Sequence, residues 1–497
     1  MKIGHKILRA LIIIISIVII SSCGKDPDES DPDGGTLEIS GLVVNSIYCF
    51  NDAAAGRYFY AIAPNESGNV KITFEGRNIS GYYLEGAFYA NDALVQMAHF
   101  KSGDTFDLIP CNNEGKPGQS VQLVLTSLPL VNISVNGQIL NDPKTVCFVS
   151  VSDPEGKTNG SQRFFPEHRA GIEIRGGLSQ NFPKKSYSLE FWKSNSNEEK
   201  EDSTRLFGLR DDGDWILDAM YIDYAKMRNR LSTDIWISIN KVPYIVREPG
   251  AVNGTRGRFV ELFMNNSYQG IYCMTERVDR KQLNLDKMEG LSFKAYTWTY
   301  ATEFINGNAA YSNTSETWDG WQLEFQGENY LKTVPVVRWE SLRNFIQFTA
   351  NASSGDFTSL IPAKINLDNL ADYLLFTNAI GADDNTGKNT FFSVYSNADN
   401  RFFITPWDID GSWGRKWNGN KIDLREGEFI GVTGMPRGDS RYCRPNAFFQ
   451  RMITSGPPEF RNKLKSRWKD LRTNDLSIIN LTNRIRIYED LFFTSGG

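Results

Sequence analysis

A chain of 497 residues with a formal charge of −5 offers no electrostatic case for nucleic acid as a partner. Its 40% hydrophobic content is that of a globular protein, and its length predicts roughly two to four domains. Its three histidines include His5 near the start, so only His99 and His168 remain further on, which argues against Ser-His-Asp, Cys-His and histidine-rich metal chemistry.

Lys2, His5, Lys6 and Arg9 precede an apolar run from Leu11 to Ile20 that closes on Ser21-Ser22-Cys23. A short apolar run ending in small residues reads as a secretory signal rather than a membrane span. The ending resembles a bacterial lipobox. That resemblance implies a signal peptide over residues 1–22, with Cys23 lipidated and seated in outer-membrane lipid. Residues 23–36 are acidic and rich in Pro and Gly, a composition that cannot pack, so they read as a tether. The stretch opened by Lys25-Asp26 after Cys23 resembles the surface-export signal of Bacteroidota lipoproteins. This implies an outer-membrane lipoprotein exposed at the cell surface, with the periplasmic face as the other option.

Cys49, Cys111, Cys147, Cys273 and Cys443 make an odd set without a C-x-x-C motif. This argues against a disulfide scaffold and a thiolate zinc site. Cys49 with Cys111 is a possible bridge within a single domain, with two free thiols as the alternative.

Residues 37–128 alternate or run apolar between Asn, Gly and Ser clusters, which predicts an all-β, immunoglobulin-like sandwich. Its aromatics are expected in the core. A second unit, residues 129–485, opens with strands at LPLVNISVN and KTVCFVSVSDP. GIEIRGGLSQNFPKKSYSLEFW then reads as strand, Gly-rich turn and strand. Arg175, the turn, Lys184 and Lys185 are groups that nucleotide phosphates require, and a plain hairpin with solvated lysines is the alternative that these residues by themselves favour. Neighbours on a strand point to opposite faces, and Lys185 shares its face with Tyr187 and Leu189, so Lys185 is expected to point inward and Lys184 outward.

DWILDAMYIDYAKMRNRLSTDIWISI reads as a helix for most of its length. Asp223, Arg228 and Asn229 lie along it, with a surface ion pair and an orienting role both open. Phe259–Met264 and Gly270–Thr275 predict a hairpin through Asn265-Asn266-Ser267, with Glu276 ending its second strand. Lys294 falls in the next strand. Residues 300–334 read as an insertion with a short strand at WQLEF, and helices are expected over 339–352 and 366–380.

The second helix leads into GADDNTGKNTFFSVYSNADNRFFITPWDIDGSWG, residues 381–414. Asp384 and Asn389 have the spacing D-x-x-x-x-N, with Asp383 adjacent. Strands Thr390–Tyr395 and Arg401–Thr405 predict a hairpin that brings the Asp384 loop and Trp407-Asp408-Ile409-Asp410 to the same end. An acid, an Asn five residues on and a later acid suit a hydroxyl proton and Mg²⁺, while paired acids beside Asn and Gly are also what a solvated turn carries. Helical patterns resume at 446–454 and 458–472, where the basic residues read as a solvated face.

These segments together resemble the spore coat protein H (CotH) kinase family over residues 128–480. The resemblance implies an α+β fold with an atypical protein-kinase-like domain. It implies transfer of the ATP γ-phosphoryl group to Ser or Thr of a protein acceptor, with Mg²⁺ or Mn²⁺. Lys185 would contact phosphates, with Lys184 the neighbour that could take its place. Asp384 would be catalytic, Asn389, Asp408 and Asp410 would hold metal, and Glu276 would pair with the lysine or line the cleft. Arg175 and Lys294 complete the nucleotide-binding set. Two rivals are a surface-anchored binding or structural lipoprotein with a silent kinase-like domain, and a carboxylate glycosidase built on Asp384 and Asp408.

Overall fold

A computed structural model describes residues 36–193, 199–200, 204–332, 337–422, 429–432 and 445–495. The signal segment, Cys23, the tether through residue 35 and Cys443 lie outside the described residues. No helix among the described residues is long and apolar enough to cross a membrane.

Alternation over residues 37–128 produces two facing sheets. Strands Glu38–Val44, Ile47–Tyr48, Asn69–Arg77 and Leu94–Gln96 form one. Phe50–Asp52, Arg57–Ala61, Gly81–Leu84, Ala87–Ala90, Thr105–Cys111 and Val121–Thr126 form the other. Leu42 and Val44 of the first sheet share one core with Tyr60, Leu108 and Leu123 of the second. Cys49 and Cys111 are both free and buried, so of the two readings it is the free thiols that the structure shows. Cys49 packs between the sheets, where burial pushes its thiol pKa up, whereas Cys111 sits opposite Gly81 within the second sheet.

This unit is welded to the next one. Phe59 meets Phe263 edge-on and stacks on Tyr268, with ring centroids 5.0 Å apart in each case. Thr126 Oγ1 donates to the buried carboxylate of Glu261 at 2.9 Å. Ser102 Oγ donates to the Thr494 carbonyl at 2.6 Å, so the chain's last helix also touches the sandwich. Replacing Thr126 with valine keeps the shape but leaves Glu261 one donor short. We expect a loss of about 1–3 kcal/mol, read as a lower urea midpoint with an unchanged slope. An unchanged midpoint would mean that this contact does not couple the two units.

Seven strands then close a barrel, in the order Leu130–Val135, Thr145–Ser152, Phe164–Arg175, Ser186–Phe191, Asp214–Asp218, Ser267–Thr275 and Gly257–Met264. Parallel pairing of the first with the last removes the free edges. Ile133, Val149, Ile172, Leu189, Leu217 and Met274 fill the interior. The expected hairpin is present, and its turn uses Asn265 and Asn266 at φ 50° and 56°, a backbone that Asn tolerates.

The segment from Asp214 to Ile239 is not one helix. Its first five residues are the barrel strand Asp214–Asp218, and the helix is Arg228–Ile239. Met220 and Lys226 at φ 49° and 57° interrupt any continuous helix, and Asp223 accepts from the N–H groups of Ala225 at 3.0 Å and Arg228 at 2.7 Å. Asp223 also forms an ion pair with Arg228. The helix then leaves the barrel and buries Leu231, Ile235 and Trp236 in a second core.

That core is built on a five-stranded sheet ordered Thr317–Trp318, Trp321–Gln326, Leu291–Ala295, Thr390–Val394 and Phe403–Pro406. Helices Glu340–Asn351, Leu367–Ile380, Ala447–Ser455 and Pro458–Thr473 pack against it. Helix Leu367–Ile380 is capped at its start by the Asn366 side chain on the Asn369 N–H and ends on Gly381 at φ 71°. The last helix, Ile478–Phe493, has no counterpart in the sequence reading and runs through the boundary expected at residue 485. Its Tyr488 and Phe492 pack edge-on against Phe259 of the barrel. The mainly antiparallel sheets and the helices packed beside them make an α+β arrangement.

Candidate active site

A cleft of about 760 Å³ lies between the outer face of the barrel and one end of the five-stranded sheet. Strand alternation sets its barrel wall. Ser186, Ser188, Ile216, Asp218 and Thr275 line the cleft, while Tyr187, Leu189, Leu217 and Met274 belong to the barrel core. The opposite wall carries Lys294, Asp384, Lys388, Asn389, Asp408 and Asp410. Hairpin register puts the last of these together, because Thr390 pairs with Pro406 and the Trp407 N–H donates to the Asn389 carbonyl at 2.9 Å.

The Gly-rich segment forms the cleft rim as a short 3₁₀ turn, Leu178–Asn181, after Gly176 at φ 105°. That φ strains any residue with a Cβ, and a Cβ there would also displace the Ser179 hydroxyl, so the turn favours glycine. Lys184 lines the cleft and Lys185 does not, which corrects the expectation. Lys185 shares the parity of Tyr187 and Leu189, but that parity leads into the apolar barrel; its Nζ instead donates to the Gln180 carbonyl at 2.6 Å. Lys184 Nζ donates to the Ile271 carbonyl at 2.5 Å and sits 4.2 Å from the centroid of the Tyr272 ring. Burial and the nearby Lys226 push the Lys184 pKa down to about 8.

A lysine with that pKa loses its charge as pH rises through 8, and bound phosphate favours the charged form. Nucleotide affinity is therefore expected to weaken about tenfold between pH 7 and 9 in the wild type. Lys184→Arg stays charged and should flatten that profile, while Lys185→Met should leave it in place. A profile flattened by Lys185→Met instead would reverse the assignment.

Asp384 is nearly buried, and both of its oxygens are held. Trp298 Nε1 donates to Oδ1 at 2.8 Å, and Asn389 Nδ2 donates to Oδ2 at 3.0 Å. Lys388 Nζ lies 3.5 Å from the same Oδ2. The Trp298 ring covers Gly387, where a Cβ would approach it to 2.3 Å. Asp383 is buried away from the cleft, and its pKa is pushed up to about 7 by burial and by Asp384. Geometry therefore brings Asp384, and not Asp383, into the site.

Asp408 follows strand Phe403–Pro406 at φ 54°. Its side chain is open to the cleft yet surrounded by protein mass, so water reaches it while its surroundings still penalise charge. Burial and the neighbouring Asp218 push its pKa up, against the pull of Arg175 and Lys388. Asp410 is pushed well above the usual carboxylate range by burial, then by Asp408 and Asp218. Arg175 lines the same cleft, with its guanidinium 5.8 Å from the Trp407 ring centroid. Lys294 lies 4.0 Å from Glu324, and burial lowers its pKa.

Oxygen donors from Asn389, Asp408 and Asp410 fit a hard divalent cation, and the mutual repulsion of the two carboxylates is what such a cation relieves. Among the described residues, no group of three acidic, histidine or cysteine side chains closes into a metal cage by itself. Mg²⁺ does not require such a cage, since it takes one or two carboxylates and completes its shell with water and phosphate.

Glu276 is not in the cleft and does not meet a cleft lysine. It is fully buried behind the barrel strand and paired with Arg256 at 2.7 Å. The N–H groups of Arg210 and Arg256 and the amide of Gln282 also donate to it. The expected pairing fails because Arg256 is brought to the end of the neighbouring strand, closer than any cleft lysine.

Asp218 and Lys388 of the cleft, and Trp298, which holds Asp384, escaped the sequence reading. Lys388 had a faint signal, since it lies inside the D-x-x-x-x-N spacing. Asp218 closes a strand that reads as helix, and Trp298 carries no local signal. A second cavity of about 630 Å³ lies under the last helix and holds none of the expected site residues.

Residues 172–494 match the family model described as CotH kinase protein. The chain is also similar to the inner spore coat protein H of Bacillus subtilis (strain 168), at 23% identity over 253 residues. That alignment takes in 50% of this chain and 60% of the relative's length. With the lysine, the aspartates and the asparagine gathered in one cleft inside the matched region, the chain belongs to the CotH kinase protein family.

Proposed function

We propose that the cleft transfers the γ-phosphoryl group of ATP to a Ser or Thr hydroxyl of a protein acceptor, with Mg²⁺ or Mn²⁺. The observation that carries this reading is the convergence of Lys184, Arg175, Asp384, Asn389 and Asp408 on one cleft from separate segments of the chain. Phosphoryl transfer asks mainly for positioning and charge neutralisation, and these groups supply both. Lys184 and Arg175 contact phosphate oxygens. Asn389 Oδ1 and the Asp408 carboxylate would hold the cation, with Asp410 beside them, and such a cation would supply charge neutralisation for the phosphates. Asp384, fixed by Trp298 and Asn389, orients the acceptor hydroxyl and takes its proton as the oxygen bonds to phosphorus and ADP leaves.

We further propose that the N-terminal unit is immunoglobulin-like. Strand Arg57–Ala61 runs parallel to the last strand, Val121–Thr126, and Thr105–Cys111 and Gly81–Leu84 come next in order across the sheet. Cys23, lipidated, would tether the whole to the outer membrane with the kinase-like domain outside the cytoplasm. The test of activity is a thermal-shift titration with ATP and Mn²⁺, followed by transfer of labelled γ-phosphate to protein. A metal-dependent rise in midpoint is expected. No response to any nucleotide or metal would leave the chain a silent scaffold.

A further inference from the structure

Helix Arg228–Ile239 begins where the chain crosses from the barrel to the second core, and its first turn reaches the cleft through Asn229. Asn229 Nδ2 donates to Asp218 Oδ2 on the barrel at 3.2 Å. Its Oδ1 accepts from the Ile409 N–H at 3.1 Å. Ile409 is the residue between the two metal-binding candidates. About one turn further along the helix, Ser232 Oγ accepts from Trp413 Nε1 at 2.8 Å and lies 3.5 Å from Ser412 Oγ. Ser412 Oγ in turn donates to the Ile409 carbonyl at 2.6 Å. Both polar groups of Ile409 are thus tied, one directly to the helix and the other through Ser412.

The tied segment needs holding. Asp408 and Trp413 stand at φ 54° and 53°, a left-handed backbone that residues with a Cβ adopt at a cost. Asp408 and Asp410 must also be kept side by side although like charges drive them apart. An apolar side chain at position 229 would lose both hydrogen bonds, and a carboxylate would lose the donor to Asp218 while adding a further negative charge.

We propose that Asn229, supported by Ser232, is a positioning residue that locks the Asp408–Ile409–Asp410 turn so that both carboxylates face one cation. The inference rests on the metal reading of the cleft. Partners that orient metal-holding groups are commonly worth tenfold or more in metal affinity.

The test is a Mn²⁺ titration of the protein at fixed ATP, read as the thermal midpoint and needing no turnover. In Asn229→Ala, the Mn²⁺ concentration giving half the rise should increase by about tenfold or more. Hydrogen exchange in the peptide holding Ile409 should also accelerate, since its N–H loses its acceptor. Ser238→Ala, at the exposed end of the same helix, should keep the wild-type half-point. If Asn229→Ala does not fold, Ser232→Ala removes only a hydroxyl and should shift the half-point in the same direction. An unchanged half-point in the folded variant overturns the inference and leaves the metal reading standing. A wild type stabilised by ATP without any dependence on Mn²⁺ overturns both.

Discussion

Replacing Asp408 with asparagine or alanine is expected to abolish metal-dependent stabilisation by ATP and to cut phosphoryl transfer by about 10³-fold, with the fold intact. Loss of a carboxylate that neutralises developing charge is worth several kcal/mol, which is where the thousandfold comes from. The fold survives because the carboxylate is not a structural support. Its pKa is raised by burial and by Asp218, so its ionised form is disfavoured by its own surroundings.

A carboxylate whose folded pKa lies above its unfolded value is protonated more readily in the folded state. Stability from Asp408 and Asp410 is therefore largest at low pH and falls as pH rises through their folded pKa values. Removing Asp408 should lessen that fall. Asparagine is the cleaner variant, since it accepts the left-handed backbone at this position better than alanine does. Transfer activity retained in both variants would end the metal assignment at Asp408.

The second large effect is on stability. Glu276→Ala should cost about 3 kcal/mol or more, because the N–H groups of Arg210 and Arg256 and the Gln282 amide lose their acceptor, at about 1–3 kcal/mol for each donor left unsatisfied. Burial alone would raise the Glu276 pKa, but the hydrogen bonds and charge of Arg256 outweigh it and hold the carboxyl below its usual value. A depressed folded pKa contributes stability above the unfolded value that is lost as pH falls through the folded one. The variant should therefore lose most of its stability near neutral pH and differ less from wild type in acid. Urea unfolding at pH 7 and at pH 3 tests this. A difference that persists undiminished in acid would show that Glu276 acts by packing rather than by charge. Arg256, left behind with an exposed flank, should not by itself unfold the protein.

Local pattern accounts for what was legible. The alternation of residues 37–128 led directly to paired sheets, and the cap at Asn366 with the glycine at 381 bounded a helix to within a residue. The Asp384 loop and the Asp408 motif could be brought together on paper because a hairpin's register depends only on its own strands and turn. The segment after Asp214 failed for the opposite reason. Its apolar spacing fits a helix, but its first residues pair with barrel strands that are far away in sequence or not yet made, and tertiary pairing overrides a local period.

What the sequence determined by itself was the order of the chemical groups and the hairpin that carries Asn389, Asp408 and Asp410. Tertiary structure alone decided which lysine serves the cleft. Alternation correctly grouped Lys185 with Tyr187 and Leu189, but only barrel closure makes that side the apolar interior and the other side the cleft. It also decided the partner of Glu276 and the grips on the site: Trp298 reaches Asp384 across 86 residues, and Asn229 reaches Ile409 across 180. A spacing in sequence reports neighbours along a strand or helix. Contacts at those separations exist only once separate cores have packed and set their surfaces face to face, so no local signal encodes them.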